Sequence, residues 1–416
     1  MAARMLTRFI LASGATNLAD GVAVVAWAWA ATLLTRDPFL VALVPVALRL
    51  PWFLMALPAG VVTDRVDRRW LILAMDVLRA LAFAVVAGAV VLAGPLPPAP
   101  VVGLGVPWLF AVMLGAALVV GGAEVFRDNA AQTMLPALVG AERLELANGR
   151  LWSVELIGNA LVGPALGAAL IGVALVLPFA LNAGAYAVAV LLLLGVRGAF
   201  RPVRDGAADW RAELAEGARF LMRAPLLRVL AVVTGVWNLL HQMVVVALVL
   251  HAQETLGLSA AAYGLVLAGG AVGGIAGSLL GGRVVARLGP ARTAQWMLAA
   301  SAPAFAGVAL AGNAVVLAVM LGLFEFTGMV WNLVSVSHRQ RVIPDRLLGR
   351  VNSLYRLLAW GMMPLGLVLS GAVMGWAEGV VARPVALVLP LWIAAAGAGV
   401  LAALGWRAIG RGFAGS

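Results

Sequence analysis

Four ionisable residues stand inside long apolar stretches, where a charge is expensive and must be used or paired: Asp20, Arg49, Glu155 and Glu325. A carboxylate at such a depth can alternate between neutral and charged forms as its hydration and partners change, which is the chemistry of a proton carrier. Asp20 is the first candidate, lying about halfway through its stretch beside Asn17 and Gly21, with Arg49 as a plausible charge partner. Glu155, a turn into its segment, and Glu325, near mid-segment, are read as proton sites or contacts for a cationic cargo. Fixed structural ion pairs are the alternative for all four. Asp76 and Arg79, three residues apart, are read as a local pair. Glu124, Arg127 and Asp128 are read as contacts at the membrane edge. Asn238, His241 and Gln242 can line a cavity, although packing is the simpler role for His241. Trp27, Trp29, Trp237 and Trp331 offer apolar surfaces suited to aromatic cargo, or else anchor the chain in lipid.

Twelve apolar segments have to position these groups. The 416 residues are 63% hydrophobic and 11% charged, a balance that no single soluble core can hide. Segments long enough to span a bilayer run near 9–34, 39–62, 70–92, 104–125, 151–171 and 174–195, then 227–250, 260–281, 293–311, 313–335, 352–374 and 384–405. This zigzag sorts the arginines, which supply all 29 basic residues: 24 fall at the side of the N-terminus, against Arg36 and Arg383 opposite and Arg49, Arg79 and Arg356 within spans. Positive charge resists translocation, so that side, with both termini, is expected to be cytoplasmic. A bacterial inner (plasma) membrane is the natural host, and the first span is read as retained rather than as a signal peptide.

The middle of the chain turns polar between Gly195 and Arg228. Three regions are expected: a six-helix bundle over 1–195, a cytoplasmic linker over 196–226, and a second six-helix bundle with a short tail over 227–416. Trp210, Leu214 and Ala218 fall on one face of a possible amphipathic linker helix. The bundles echo each other. Gln132-Thr-Met-Leu-Pro136 precedes the fifth span and Gln340-Arg-Val-Ile-Pro344 the eleventh, while Gly60 to Arg69 is matched by Gly282 to Gly289. Parallel repeats of this kind suit an alternating-access carrier with its route between the halves.

On these motifs the chain resembles the major facilitator superfamily, particularly the drug- and siderophore-export branch that includes macrolide efflux proteins and the enterobactin exporter. The resemblance rests on Gly60-x-x-x-Asp64-Arg65-x-x-Arg68-Arg69 between spans two and three, on the Leu50-Pro51-Trp52 to Gly60 lead-in, and on Pro344-Asp345-x-x-x-Gly349-Arg350-Val351 before span eleven. It implies an all-α fold of twelve helices in two six-helix bundles. It also implies that Asp64 and its arginines latch the cytoplasmic gate, with Arg287 and Arg350 contributing from the second half; there Ala286 stands where Asp64 stands in the first. Gly60 is expected to let two helices approach closely. Gly158-x-x-x-x-Gly163-Pro164-x-x-Gly167 resembles the superfamily's antiporter motif, a bend at the interface between halves or else ordinary close packing.

The implied activity is secondary export of an amphipathic drug or secondary metabolite by proton antiport. A dedicated siderophore or metabolite exporter is the alternative, with uptake and a nontransporting scaffold or sensor behind it. The direction of coupling comes from the resemblance alone. ATP-driven pumping is excluded, because a phosphate-binding loop needs a lysine and the chain has none. Without cysteine there is no thiolate metal site, and His241, His251 and His338 show no ligand spacing, so neither metal nor cofactor is expected. The charge of +11 is explained by loops facing headgroups rather than by nucleic acid. Protons, membrane lipids and a small amphipathic substrate are the expected partners of a functional monomer.

Overall fold

A computed structural model describes residues 2–63, 65–139, 144–198, 200–201 and 210–414, and among these residues every regular element is helical. The first six segments become α1 (Ala2–Leu34), α2 (Pro38–Thr63), α3 (Arg68–Ala93), α4 (Pro107–Val139), a fifth span built as α5 (Leu144–Glu155), a π-helical turn (Leu156–Val162) and α6 (Gly163–Val173), and α7 (Val176–Leu194). A connecting helix, α8 (Trp210–Arg223), follows. The later spans are α9 (Pro225–Leu250) with a π-helical end (His251–Thr255), α10 (Ala260–Leu288), α11 (Pro290–Leu310), α12 (Ala314–Val342), a divided eleventh span of α13 (Asp345–Gly361) and α14 (Met363–Ala377), and α15 (Arg383–Ala414).

Eleven helical segments among the described residues are both long and apolar enough to cross a bilayer. The twelfth expected span is α11. Its 21 residues give it about 31 Å at 1.5 Å per residue, enough for the hydrocarbon core, but Arg292, Thr293 and Gln295 make its first turns polar. Starts and stops follow local chemistry. Asp67 caps α3 by accepting the Arg69 amide, Asn313 caps α12 by accepting those of Val315 and Val316, and prolines open α9 and α11 where a missing N–H costs nothing.

The chain forms two compact units, Met1–Arg204 with Ser259–Ala268, and Asp205–Leu258 with Gly269–Ser416. The repeat seen in the sequence reappears as repeated packing. In the first unit α1 lies against α7 and against the fifth span, and α3 against α4 and α7. In the second, α9 lies against α15 and α14, and α11 against α12 and α15. Glycines set the closest approaches. Gly269, Gly273 and Gly277, one per turn of α10, face Ala318, Gly322 and Phe326 of α12, where any added Cβ would collide.

The connecting helix is docked rather than free. Leu221 of α8 packs in a core with Leu227, Ile343, Leu347 and Val351. Among its described side chains Gly217 and Leu221 are buried and Ala218 is half-buried; Gly217 and Leu221 stand seven residues after Trp210 and Leu214, whose side chains lie outside the described residues.

Candidate functional site

The buried charges of the first unit form two layers, one helical turn apart. In the deeper layer, Asp20 of α1 accepts hydrogen bonds from the Arg79 guanidinium of α3 and from Tyr186 Oη of α7, the latter at 2.5 Å. Arg79 lies over the Tyr186 ring, 4.3 Å from its centroid, and Phe83 stacks on that ring with centroids 5.6 Å apart. Arg79 is fully buried, while the Asp20 side chain keeps 22% of its surface exposed. The second layer lies one turn towards the N-terminal ends of α1 and α3. Arg127 of α4 donates to Thr16 Oγ1 at 2.8 Å and to Asp128 Oδ1 at 3.4 Å, and its Nε stands 3.4 Å from Asp76 Oδ1.

That last contact is an ion pair without hydrogen-bond geometry. Both Asp76 oxygens are buried and without a hydrogen-bond partner, as are Arg79 Nε and Nη1 and Arg127 Nε. Three carboxylates therefore face two guanidiniums in direct contact. An ion taken out of water is tolerated only when its charge is matched, and one proton added to this set would complete the match.

The second unit carries a different kind of centre. His241 Nε2 of α9 meets Glu325 Oε1 of α12 at 3.2 Å, both side chains being part-exposed. The imidazole lies nearly parallel to Trp237 and Phe324, with centroids 5.4 and 5.0 Å away, and Phe305 tilts against Phe324 at 4.5 Å. Gly270 and Gly274 of α10 face the Glu325 stem and leave it room. Together these groups offer a carboxylate beside a flat aromatic wall. Further along α12, a cavity of about 470 Å³ is lined by Val285, Leu333, Ser337, His338 and Arg341, separate from the Glu325 centre.

The charged loop after α2 works as a clamp inside the first unit. Arg68 donates to the Thr133 carbonyl at 2.9 Å, while Arg69 donates to the Leu193 and Leu194 carbonyls at 3.2 and 3.0 Å. Arg8 adds a bond to the Gly195 carbonyl at 2.6 Å, so two arginines cap the open end of α7. Arg65 is exposed, and Asp64, expected at the centre of the latch, lies outside the described residues. In the second unit Arg350 donates to Glu216 of α8 at 2.6 Å, which ties the connecting helix to α13; Arg287 is exposed in the last turn of α10.

A sequence profile described as Major Facilitator Superfamily matches residues 9–367. The chain belongs to that superfamily. It is 29% identical over 400 residues to the multidrug efflux pump Tap of Mycolicibacterium fortuitum, covering 92% of this chain and 91% of Tap. A point mutant of the nucleoside transporter NupG superposes with a TM-score of 0.77 at 13% identity, covering 97% of this chain and 99% of that one. A bacterial homologue of the iron transporter ferroportin, in an inward-facing state, gives 0.73 at 17%, covering 99% and 98%. Those two likenesses show the fold alone.

Within this superfamily fold, several sequence expectations need correction. Arg49, expected to be buried beside Asp20, is exposed, and Asp20 is held by Arg79 and Tyr186 instead. The local pair of Asp76 with Arg79 is replaced by Asp76 facing Arg127. Arg127, read as a gate or loop contact, is buried on α4 and joins Thr16, Asp76 and Asp128. Trp27 lines no open surface: it is 2% exposed and packs against Phe83 and Phe179. Trp331 is likewise core, donating to Thr234 Oγ1 at 3.1 Å. Gly60 makes no close approach, since a Cβ there would meet no described atom within 4 Å.

The remaining candidates divide between structure and surface. Asn238 donates to the Ala359 carbonyl at 2.9 Å, beside the break between α13 and α14. Gln242 is buried next to Gly366. Glu155 is exposed at the end of α5. Gly158, Gly163 and Gly167 all turn towards α1, where added Cβ atoms would press on Leu18, Gly21 and Val22. These glycines thus pack closely on α1, and Pro164 is the second residue of α6, just past a π-helical turn, a recognised cause of bending.

Sequence reasoning missed Tyr186 and the arrangement around Arg127. Thr16 with Asp20, and Asp76 with Arg79, stand one turn apart on single helix faces. That spacing was the available signal for a layered network.

Proposed function

We propose that this protein is a secondary active exporter of an amphipathic small molecule, working by proton antiport and alternating access. The observation that carries the reading is Asp20. This partly exposed carboxylate is held by a buried arginine and a tyrosine within a charge set that lacks one positive charge. A proton arriving at Asp20 neutralises the set and loosens Arg79, whereas its departure restores the pair. The likeness to an efflux pump over nine-tenths of the chain supports export.

The cargo class follows from the second unit. Glu325 beside the Trp237, His241 and Phe324 stack suits a planar organic molecule bearing a positive charge, with aromatic faces for the ring and a carboxylate for the cation. Residues 1–195 and 227–416 act as the two moving bundles, joined by 196–226. The arginine bias places both termini in the cytoplasm of a bacterium, the Asp64 turn serves the cytoplasmic gate, and the carrier works as a monomer among membrane lipids.

Proteoliposomes loaded with ethidium under an imposed proton gradient provide the test. Native protein should move the dye against proton flow, and Asp20→Asn should insert normally yet fall to the rate of protein-free vesicles. Undiminished gradient-driven movement in Asp20→Asn would remove Asp20 from the mechanism. Binding with no movement under either gradient would replace the carrier with a scaffold, and dye moving with protons would reverse its direction.

A further inference from the structure

Asp76 is a charged group of the first unit that the reading above does not use. It is completely buried on α3, and neither carboxylate oxygen has a hydrogen-bond partner. One turn further along the same helix, Arg79 keeps Nε and Nη1 buried and unpartnered while its Nη2 serves Asp20. Unfilled acceptors and unfilled donors thus stand three residues apart on one helix, within the reach of neighbouring side chains. Buried polar atoms are normally paired, and apart from the Arg127 ion pair at 3.4 Å the unfilled donors of Arg79 are the complement Asp76 lacks.

We propose that Arg79 is a two-position guanidinium, passing from Asp20 to Asp76 when Asp20 takes up a proton, so that Asp76 is the second acceptor of the transport cycle. The step breaks no covalent bond. The proton adds to a carboxylate oxygen of Asp20, whose O–H can then face Tyr186, and Arg79 stays charged throughout. The guanidinium travels roughly one helical turn, ~5 Å, by side-chain rotation alone. Asp76 then gains a full partner, and Arg127 is released to close on Asp128 and Thr16, which it already contacts.

The surrounding charges are compatible with this exchange. Thr16 and Asp20 face the site from α1, Arg127 and Asp128 from α4, and Tyr186 from α7. Glu124 of α4 lies within electrostatic reach of Asp20, Arg79 and Arg49. Glu155 lies within reach of Asp128, Arg127 and Asp20. Among the contacting groups, protonation of Asp20 leaves two carboxylates, Asp76 and Asp128, for two guanidiniums. Each arginine then has an acid of its own.

The inference rests on Asp20 being the proton site, and its test separates the two ideas. Structures would be determined in lipid nanodiscs for the Asp20→Asn variant, whose side chain stays neutral, and for native protein at acidic pH. The Arg79 guanidinium is expected within hydrogen-bond distance of Asp76 and away from residue 20. Arg79 remaining on residue 20 in both, with the Asp76 oxygens still unpaired, would overturn the exchange whatever the transport data show. Conversely, loss of the Asp20 assignment would be read from ethidium transport by Asp20→Asn alone. As a functional arm, Asp76→Asn should lose gradient-driven ethidium movement but keep gradient-free dye exchange, and Asp76→Glu should restore the driven movement. Full driven transport in Asp76→Asn would also overturn it.

Discussion

Adding one methyl group at Gly163 should damage the protein, whereas the same change at Gly60 should not. At Gly163 a Cβ would sit 2.5 Å from Gly21 Cα and 2.5 Å from the Gly158 carbonyl oxygen. Carbon atoms rest ~3.5–4.0 Å apart, so α1 and the fifth span must separate by about 1 Å. A gap of that size forfeits roughly a quarter to a half of each contact along the seam. Overpacking of this kind costs about 1–3 kcal/mol. Gly21→Ala meets the reciprocal obstacle, at 2.6 Å from the Gly158 and Asn159 carbonyl oxygens. The double variant should therefore cost less than the sum of the singles, because the first separation makes room for the second methyl. At Gly60 no described atom lies within 4 Å of the added Cβ, and Ala exceeds Gly in helix preference by roughly 0.8–1.0 kcal/mol, so that variant should be unchanged or slightly more stable. Thermal unfolding in detergent, followed by tryptophan fluorescence, reads all four proteins. Equal midpoints for Gly163→Ala and Gly60→Ala would refute the claim that the antiporter-like glycines are a packing seam.

Three further perturbations probe separate parts of the molecule. Arg350→Ala should release α8 from α13 by removing the bond to Glu216, and limited proteolysis should then cut between 196 and 226 several-fold faster; an unchanged rate would mean that the apolar contacts of Leu221 suffice. Arg383→Ala strips the shared partner from Glu254 and Glu378, bonded at 2.5–2.9 Å, and should cost roughly 1.5–3 kcal/mol, the range for hydrogen bonds to charged groups, with a stability loss that shrinks in high salt. Glu325→Gln should weaken ethidium binding about tenfold or more while leaving an uncharged aromatic dye unaffected, as judged by fluorescence titration; equal loss for both dyes would assign Glu325 a structural role.

Depth along each span was legible in the sequence, but rotation about its axis was not. Asp20 could be placed mid-membrane because apolar residues flank it on both sides, and it does stand at a buried charge centre. Its partner could not be chosen the same way. Arg49 and Arg79 are both mid-span arginines, and only the packing of α1 against α7, with α3 against α7, selects Arg79. The same limit explains Trp27 and Trp331, whose size suits a binding surface and a core equally well. Arg127 was lost for another reason. The polar residues after Val125 resemble the end of a span, yet α4 runs on to Val139, because helices of a bundle can project beyond the lipid while their sides stay covered. Gly60 shows that a motif can locate a turn without explaining it: the arginines beside it bind α4 and α7 carbonyls, while a Cβ on the glycine would meet no described atom within 4 Å.

The two units share a packing plan but not an interior. In the first, the equivalents of a soluble protein's apolar core are interrupted by Asp20, Asp76, Arg79, Arg127 and Asp128, charges tolerable only as a mutually compensating set. In the second, the buried arginine is Arg339, which bonds to Asn352 and lies 3.7 Å from the Tyr355 ring centroid, with no carboxylate within ion-pair distance among the described residues. Among the described residues Arg339 thus faces an amide and a ring where Arg79 faces a carboxylate. The mid-helix acid of α12 in that unit is Glu325, part-exposed and flanked by rings. The two units thus keep matching helix contacts but divide their ionisable groups differently: acids and arginines interleave in the first, whereas one carboxylate meets a flat aromatic wall in the second.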